Sequence, residues 1–276
     1  MKTLYVSDLD GTLMQPDARI SDKAAVLINR AVADGKLFTI ATARTPATVS
    51  GILSSIHMRL PAVVMTGAAL WHQDTGRYSR ERHICREGAE RLIDLYRRTD
   101  TSSFVFTLDR DMIDIYHVGG ELLPLQRQFM EERIHSPFKR FHIREDGREC
   151  LPDDLSKVIL LYTMLPDAKA FSTYQESCGI PGVRPQYYHD IYGPEVGILE
   201  AFSDRATKAL AVRSLASQVG ADRVVCFGDN INDLPMMAVA DLAVAVGNAL
   251  PEVKDAADIV IGPNTADAVA EFIAND

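Results

Sequence analysis

The sequence is short of clustered cysteine, long apolar runs and excess positive charge. Its four cysteines, Cys85, Cys150, Cys178 and Cys226, are scattered, with no CxxC and no Cys/His cluster. That argues against a zinc site or a disulfide framework and predicts thiols in a reducing cytoplasm. The longest nearly continuous apolar run, Val158 to Leu165, has the length of a strand, far below the roughly 20 residues of a membrane-spanning helix. The opening stretch turns acidic at Asp8, so no signal peptide is expected. Lys and Arg number 29 against 38 Asp and Glu, a formal net charge of −9. This balance argues against nucleic acid as the main partner, because phosphate backbones need clustered cations. A small phosphate ester stays open, since it needs only one local cationic pocket. With 47% hydrophobic and 24% charged residues over 276 positions, disorder is excluded and there is chain enough for one large domain or two ordinary ones.

Both ends of the chain alternate strand and helix. Leu4–Val6 is a short apolar strand ending at Ser7-Asp8. Residues 21–34 read as a helix with Ser21 as cap, Ala24, Leu27, Ile28 and Ala31 on one face and Gly35 just past its end. Leu37–Ala41 is a second strand, 46–57 a helix, and Ala62–Met65 a third strand, with a hairpin from Trp71 to Arg80. The last 75 or so residues repeat the rhythm, with helices near 205–219, 233–240, 251–257 and 265–274 between strands at 224–227, 243–246 and 259–261. The pattern predicts an α/β fold, a doubly wound parallel sheet with helices on both faces. The middle differs: helices near 84–99, 121–133 and 167–178, a hairpin of Phe104–Leu108 with Met112–His117, and strands near 157–164, 183–191 and 196–202. We therefore read residues 1–83 and 204–276 as one Rossmann-like core and 84–203 as an inserted α+β domain.

Polar clusters follow the predicted parallel strands: Asp8-Leu9-Asp10-Gly11-Thr12, Thr42-Ala43-Arg44, Thr66-Gly67-Ala68 and Gly228-Asp229-Asn230-Ile231-Asn232-Asp233. Ligands bind at that edge of open α/β sheets. Taken singly, each cluster has a plain structural explanation: an acidic turn, a helix cap, a solvated lysine at 208. Together, in this order, they predict one crevice. Asp8, Asp10, Asp229 and Asp233 would raise one another's pKa there unless a cation intervened. Oxygen donors without nearby His or Cys favour Mg²⁺ over zinc.

These motifs resemble the haloacid-dehalogenase superfamily, in particular its Cof-type sugar-phosphatase branch with an α/β cap of the C2B kind. The resemblance runs over essentially the whole chain. It is carried by Asp8-Leu9-Asp10-Gly11-Thr12-Leu13, Thr42, Lys208 and Gly228 to Asp233, with the inserted middle in the place of the family's cap. It implies a phosphatase in which Asp8 is the nucleophile, forming an aspartyl-phosphate, and Asp10 the acid and base. It implies that Thr42 holds a phosphoryl oxygen and that Lys208 neutralises the nucleophile. Mg²⁺ would sit on the Asp8 carboxylate, the Asp10 carbonyl and Asp229, with Asp233 orienting that set and Asn232 touching the phosphoryl group. Arg44 is a candidate anion contact, or else a partner for the cap. The chain departs from the family pattern at Ala43, where glycine is frequent, and at Thr66, where asparagine is frequent.

The implied substrate is a small phosphorylated metabolite such as a sugar phosphate, flavin mononucleotide or pyridoxal phosphate. A cap would choose among them, through residues such as Arg110, Asp111, Tyr187, Tyr188, His189 and Tyr192, although tyrosines along a strand also simply pack. Two other readings stand beside this one. A phosphotransferase or hexose-phosphate mutase would share the chemistry and change the acceptor. A non-catalytic receiver domain would need an aspartate after the third strand, where this chain has Met65-Thr66. No nucleic acid or membrane partner is expected, and the chain is expected to be a cytoplasmic monomer or weak homo-oligomer.

Overall fold

A computed structural model of the chain describes residues 1–189 and 192–276. It divides into two compact units, Met1–Arg80 with Thr207–Asp276, and Glu81–Ala206. The first unit begins with β1 (Thr3–Ser7), α1 (Asp22–Ala33), β2 (Leu37–Ile40), α2 (Pro46–Val49), β3 (Ala62–Val64), β4 (Ala69–Trp71) and β5 (Tyr78–Ser79). The second contains α3 (Arg86–Arg98), β6 (Ser103–Asp109), β7 (Met112–Val118), α4 (Pro124–Glu131), β8 (Lys139–Phe141), β9 (Val158–Pro166), α5 (Asp167–Ser177), β10 (Val183–Tyr188) and β11 (Val196–Ser203). The first then resumes with α6 (Lys208–Val219), β12 (Arg223–Gly228), α7 (Leu234–Met237), β13 (Leu242–Ala245), α8 (Pro251–Ala256), β14 (Ile259–Val260) and α9 (Ala268–Asn275).

The first unit is organised by a parallel sheet of order β14-β13-β12-β1-β2. Strand β1 lies inside the sheet between β12 and β2, with Ser7 opposite both Phe227 and Ile40, and Leu4, Val6 and Phe227 are fully buried. Helix α1 forms because Ser21 accepts a bond from the Ala24 N–H and Ala24, Ile28 and Ala31 recur on one buried face. Gly35, at φ 97°, lets the chain turn back into β2. From β1 the chain winds outward to β2, whereas β12, β13 and β14 wind outward the other way. The winding reverses between β1 and β12, which places a crevice at the carboxyl ends of those two strands.

Three details differ from the sequence expectation. The helix expected over 46–57 is only α2, followed by a single turn at Ile52–Ser55, because Gly51 and the serines after it give little helical preference. The third strand does not extend the parallel ladder: it touches β2 through one parallel bridge, Ala41 to Val63, and otherwise pairs antiparallel with β4. The helix expected near 233–240 is a tight turn at Ile231–Asp233 running into α7.

The second unit is a sheet of order β10-β11-β9-β6-β7-β8, antiparallel except for β7 with β8. Leu92, Ile93 and Tyr96 of α3 pack with Val105, Leu161 and Leu199 on one side. Phe104, Phe129 and Tyr162 stack together from the alternate positions, with centroids 5.3–5.5 Å apart. Strand β8 was not foreseen: Lys139-Arg140-Phe141 shows no alternation that sequence alone can read. The helix expected over 121–133 is shortened to α4. The strand expected to reach 191 runs to Tyr188, and its last two positions lie outside the described residues. Among the described residues, no helix is long and apolar enough to cross a membrane.

Candidate active site

Strand β1 delivers Asp8 buried, its N–H donating to the Phe227 carbonyl at 3.0 Å. The chain then makes a tight turn over Leu9–Leu13, closed by the Met14 N–H on the Leu9 carbonyl at 2.9 Å. Gly11 takes φ 73° at the apex, and a β-carbon there would lie 2.3 Å from Asp229 Oδ2. Only glycine allows both that conformation and that approach. The next residue, Thr12, donates its hydroxyl to Asp229 Oδ1 at 2.9 Å. The turn after β1 thus meets the loop after β12.

Lys208 enters at the first position of α6, where Thr207 caps the helix by accepting from the Leu210 N–H. Gly67 makes that entry possible, since a β-carbon there would meet the Thr207 carbonyl oxygen at 2.3 Å. The Lys208 ammonium lies 2.6 Å from Asp8 Oδ1 and 2.8 Å from Asp233 Oδ1, with all three side chains buried. The other Asp233 oxygen accepts from the N–H groups of Asp229 and Asn230, at 3.1 and 3.2 Å. Asp233 is therefore spent on shaping the loop and anchoring the lysine.

Carboxylate oxygens of Asp8, Asp229 and Asp233 lie within 4.8 Å of one another. Burial pushes Asp8 up to about 7; Lys208 opposes this, while Asp233 and Asp229 reinforce it. Burial likewise lifts Asp229 to about 6, against the Thr12 hydrogen bond and with help from Asp233 and Asp10. Burial alone would depress the Lys208 ammonium, but Asp8 and Asp233 outweigh it and hold its pKa above the ordinary lysine value. Three carboxylates thus share one lysine, and their charge is only partly balanced.

Asp10 points elsewhere. Its side chain is 53% exposed and is gripped by Arg44, with Nε on Oδ2 at 2.8 Å and a terminal nitrogen on Oδ1 at 2.6 Å. The sequence left two partners open for Arg44, an anion or the inserted segment; the structure pairs it with Asp10 inside the first unit. Thr42 is buried at the end of β2, its N–H on the Val63 carbonyl at 2.9 Å and its Oγ1 accepting from the Arg44 N–H at 3.1 Å. That leaves its hydroxyl proton to donate. Asn232 is exposed on the Ile231–Asp233 turn, and among the described residues no hydrogen bond ties its side chain to the carboxylates.

The sequence profile of the haloacid dehalogenase-like hydrolases matches residues 5–273. The chain belongs to that family. The *Bacillus subtilis* 5-amino-6-(5-phospho-D-ribitylamino)uracil phosphatase YitU is 26% identical over 98% of this chain and 96% of its own length. The *Escherichia coli* pyridoxal phosphate phosphatase YbhA is 26% identical over 96% of this chain and 95% of its own. A haloacid dehalogenase-like hydrolase from *Bacteroides thetaiotaomicron* has the same fold, with a TM-score of 0.76 at 24% identity over 99% of this chain and 98% of that one.

As a haloacid dehalogenase-like hydrolase, the chain has a donor set that fits a hard divalent cation. The converging groups are all oxygen, and the three clustered carboxylates have a single buried ammonium, that of Lys208, among them. One departure from the family pattern acquires a physical face. Thr66 sits at φ 56° directly after Met65 at φ 50°, and among the described residues its buried hydroxyl has no hydrogen-bond partner. Asparagine tolerates that left-handed region, whereas a branched threonine is strained in it. Among the suggested readers in the second unit, Tyr187 donates to Asp167 and packs on Phe171 and Tyr174 of α5, at 5.4 and 5.9 Å.

Two contributors were missed from sequence. The Thr12 hydroxyl holds Asp229, although nothing in the spacing said which way it would turn. Asn248 donates to the Gly11 carbonyl at 2.7 Å. It follows a parallel strand as the other clusters do, and that rule applied to β13 would have found it.

Proposed function

We propose that this hydrolase is a Mg²⁺-dependent phosphatase that cleaves a small phosphomonoester through an aspartyl-phosphate. The observation that carries the reading is the buried Lys208 ammonium on Asp8, with the Asp229 carboxylate facing the same turn. Lys208 holds Asp8 in place and favours its ionised form. An Asp8 oxygen attacks phosphorus, and the ester oxygen leaves as that bond forms. Asp10 donates a proton to the departing oxygen. Asp10 then takes a proton from water as the water oxygen attacks phosphorus, the bond from Asp8 to phosphorus breaks, and inorganic phosphate is released. Arg44 aims the Asp10 carboxylate throughout. The Thr42 hydroxyl donates to a phosphoryl oxygen, and exposed Asn232 offers a further donor. Asp8, Asp229 and the Asp10 carbonyl would hold Mg²⁺, which supplies positive charge against the phosphoryl oxygens.

Relatives named for a phosphoribityl-uracil and for pyridoxal phosphate support a small, polar, singly phosphorylated metabolite as substrate. Four free cysteines support a reducing compartment such as the cytoplasm. The test is phosphate release from an aryl phosphate and from a panel of phosphorylated metabolites, with Mg²⁺ and after chelation. Asp8→Asn should abolish release with the fold intact. Full turnover by Asp8→Asn, or activity that survives exhaustive chelation, would sink the reading. Phosphosugar isomers without free phosphate would turn it to a mutase.

A further inference from the structure

The turn after β1 and the loop after β12 lie far apart in sequence, and a third segment is bonded to both. It is the loop Gly247–Leu250, which leaves the carboxyl end of β13. The Asn248 side-chain amide donates to the Gly11 carbonyl at 2.7 Å. Two residues on, the Leu250 N–H donates to the Asp229 carbonyl at 2.9 Å. Thr12 closes the circuit from the other side, with its hydroxyl on Asp229 Oδ1 at 2.9 Å. The three bonds form a ring that runs from Asn248 to the Gly11–Thr12 peptide, to Asp229 and back to Leu250. Asp229 is thereby held at both its backbone and its carboxylate.

The ring restrains the residue least able to restrain itself. Gly11 sits at φ 73° and ψ −7°, and glycine has more backbone freedom than any other residue. Tying down its carbonyl sets the plane of the peptide that carries Thr12, and so the hydroxyl that aims Asp229. Asn248 is itself oriented, because its Oδ1 accepts from the Asn264 N–H at 2.9 Å. The neighbouring Asn264 side chain makes a separate brace, donating to the Met14 carbonyl at 2.7 Å. That bond is buried and lies beyond the ring.

We propose that Asn248 is a positioning residue for the cation site: it fixes the Gly11–Thr12 peptide and thereby the gap between the Asp8 turn and Asp229. The proposal rests on the reading of the site as a Mg²⁺ centre. Groups that orient metal ligands typically contribute 10–100-fold in affinity. Substrate recognition at saturating cation should be nearly untouched, since Asn248 reaches only backbone.

The experiment is calorimetric Mg²⁺ titration, without substrate, of the wild-type chain, Asn248→Ala and Asn264→Ala, with urea unfolding of each in chelator. Asn248→Ala should weaken Mg²⁺ binding about tenfold or more, while Asn264→Ala lowers stability and leaves binding within about twofold. At saturating Mg²⁺, KM for an aryl phosphate should be unchanged in Asn248→Ala. Equal Mg²⁺ affinity in Asn248→Ala and wild type overturns the proposal. So does an equal loss in both variants, or an Asn248→Ala chain that does not fold, because either would make Asn248 a general fold residue. A wild-type chain that binds no Mg²⁺ overturns the cation reading itself, a result distinct from all of these.

Discussion

The Lys208 ammonium lies 2.6 Å from the Asp8 carboxylate, across 200 residues of chain. That pair joins the two ends of the sequence at a buried point, with side chains 1% and 8% exposed. Removing the lysine strands Asp8 and Asp233 as buried charges. Lys208→Met should therefore lower stability by about 3–5 kcal/mol, read by urea unfolding, and abolish phosphate release. Lys208→Arg should not restore activity, because a larger planar head has no room in a site where lysine is 2% exposed. Wild-type stability in Lys208→Met would show that the pair does not organise the site.

The Arg44–Asp10 pair should behave in the opposite way. It is partly exposed, and such pairs contribute about 1 kcal/mol or less. Arg44→Ala is expected to unfold within about 1 kcal/mol of wild type and to lose at least about tenfold in kcat, since an unaimed Asp10 transfers protons poorly. Arg44→Lys should stay impaired, because an ammonium cannot make the paired contact of the guanidinium. Steady-state kinetics beside a denaturation curve separates the two effects.

Two glycines with positive φ offer a matched comparison. Gly11→Ala forces a β-carbon to within 2.3 Å of Asp229 Oδ2, whereas a β-carbon on Gly35, at φ 97°, meets nothing within 4 Å. Both substitutions should cost about 1–3 kcal/mol of backbone strain. Only Gly11→Ala should also lose Mg²⁺ binding and turnover. A fully active Gly11→Ala enzyme would contradict the close approach of turn and carboxylate.

Lys139 makes a pH prediction far from the aspartates. It is 6% exposed, with its ammonium 5.5 and 5.6 Å from the ring centres of Phe106 and Phe129. Burial, with Arg133 nearby, pulls its pKa from 10.5 to about 8. The unfolded chain then holds that proton more tightly than the folded one. Stability should accordingly climb as pH rises from about 8 toward 10.5, and this group adds no slope below about 8. Lys139→Met should flatten that climb and stabilise the protein at pH 7 by up to about 3.5 kcal/mol, at about 1.4 kcal/mol per pKa unit. Unfolding midpoints measured at pH 7, 8, 9 and 10 for both chains decide it.

Much of this molecule could be read locally. Ser21 before a helical face, Gly35 after it and apolar runs ending in Asp8 and Gly228 are short-range signals, and the structure uses each of them as the spacing suggests. The same locality explains the misses. Whether Ala62–Val64 extends the parallel sheet or folds back on β4 depends on pairing partners, which strand propensity does not name. Lys139 reads as a surface cation until the aromatic side chains around it are seen.

The amino-acid order by itself determined the alternation of strands and helices, and the presence at strand ends of carboxylates, a threonine and a lysine. Those follow from side-chain periodicity and turn chemistry, which act over a few residues. The tertiary structure alone decided that Arg44 grips Asp10, that Asp233 is used up by Lys208 and two backbone amides, and that Asn248 closes a ring onto Asp229. Each of these depends on distances between segments set by how the sheet winds. A hydrogen bond forms or fails over a few tenths of an ångström, and no local pattern encodes that.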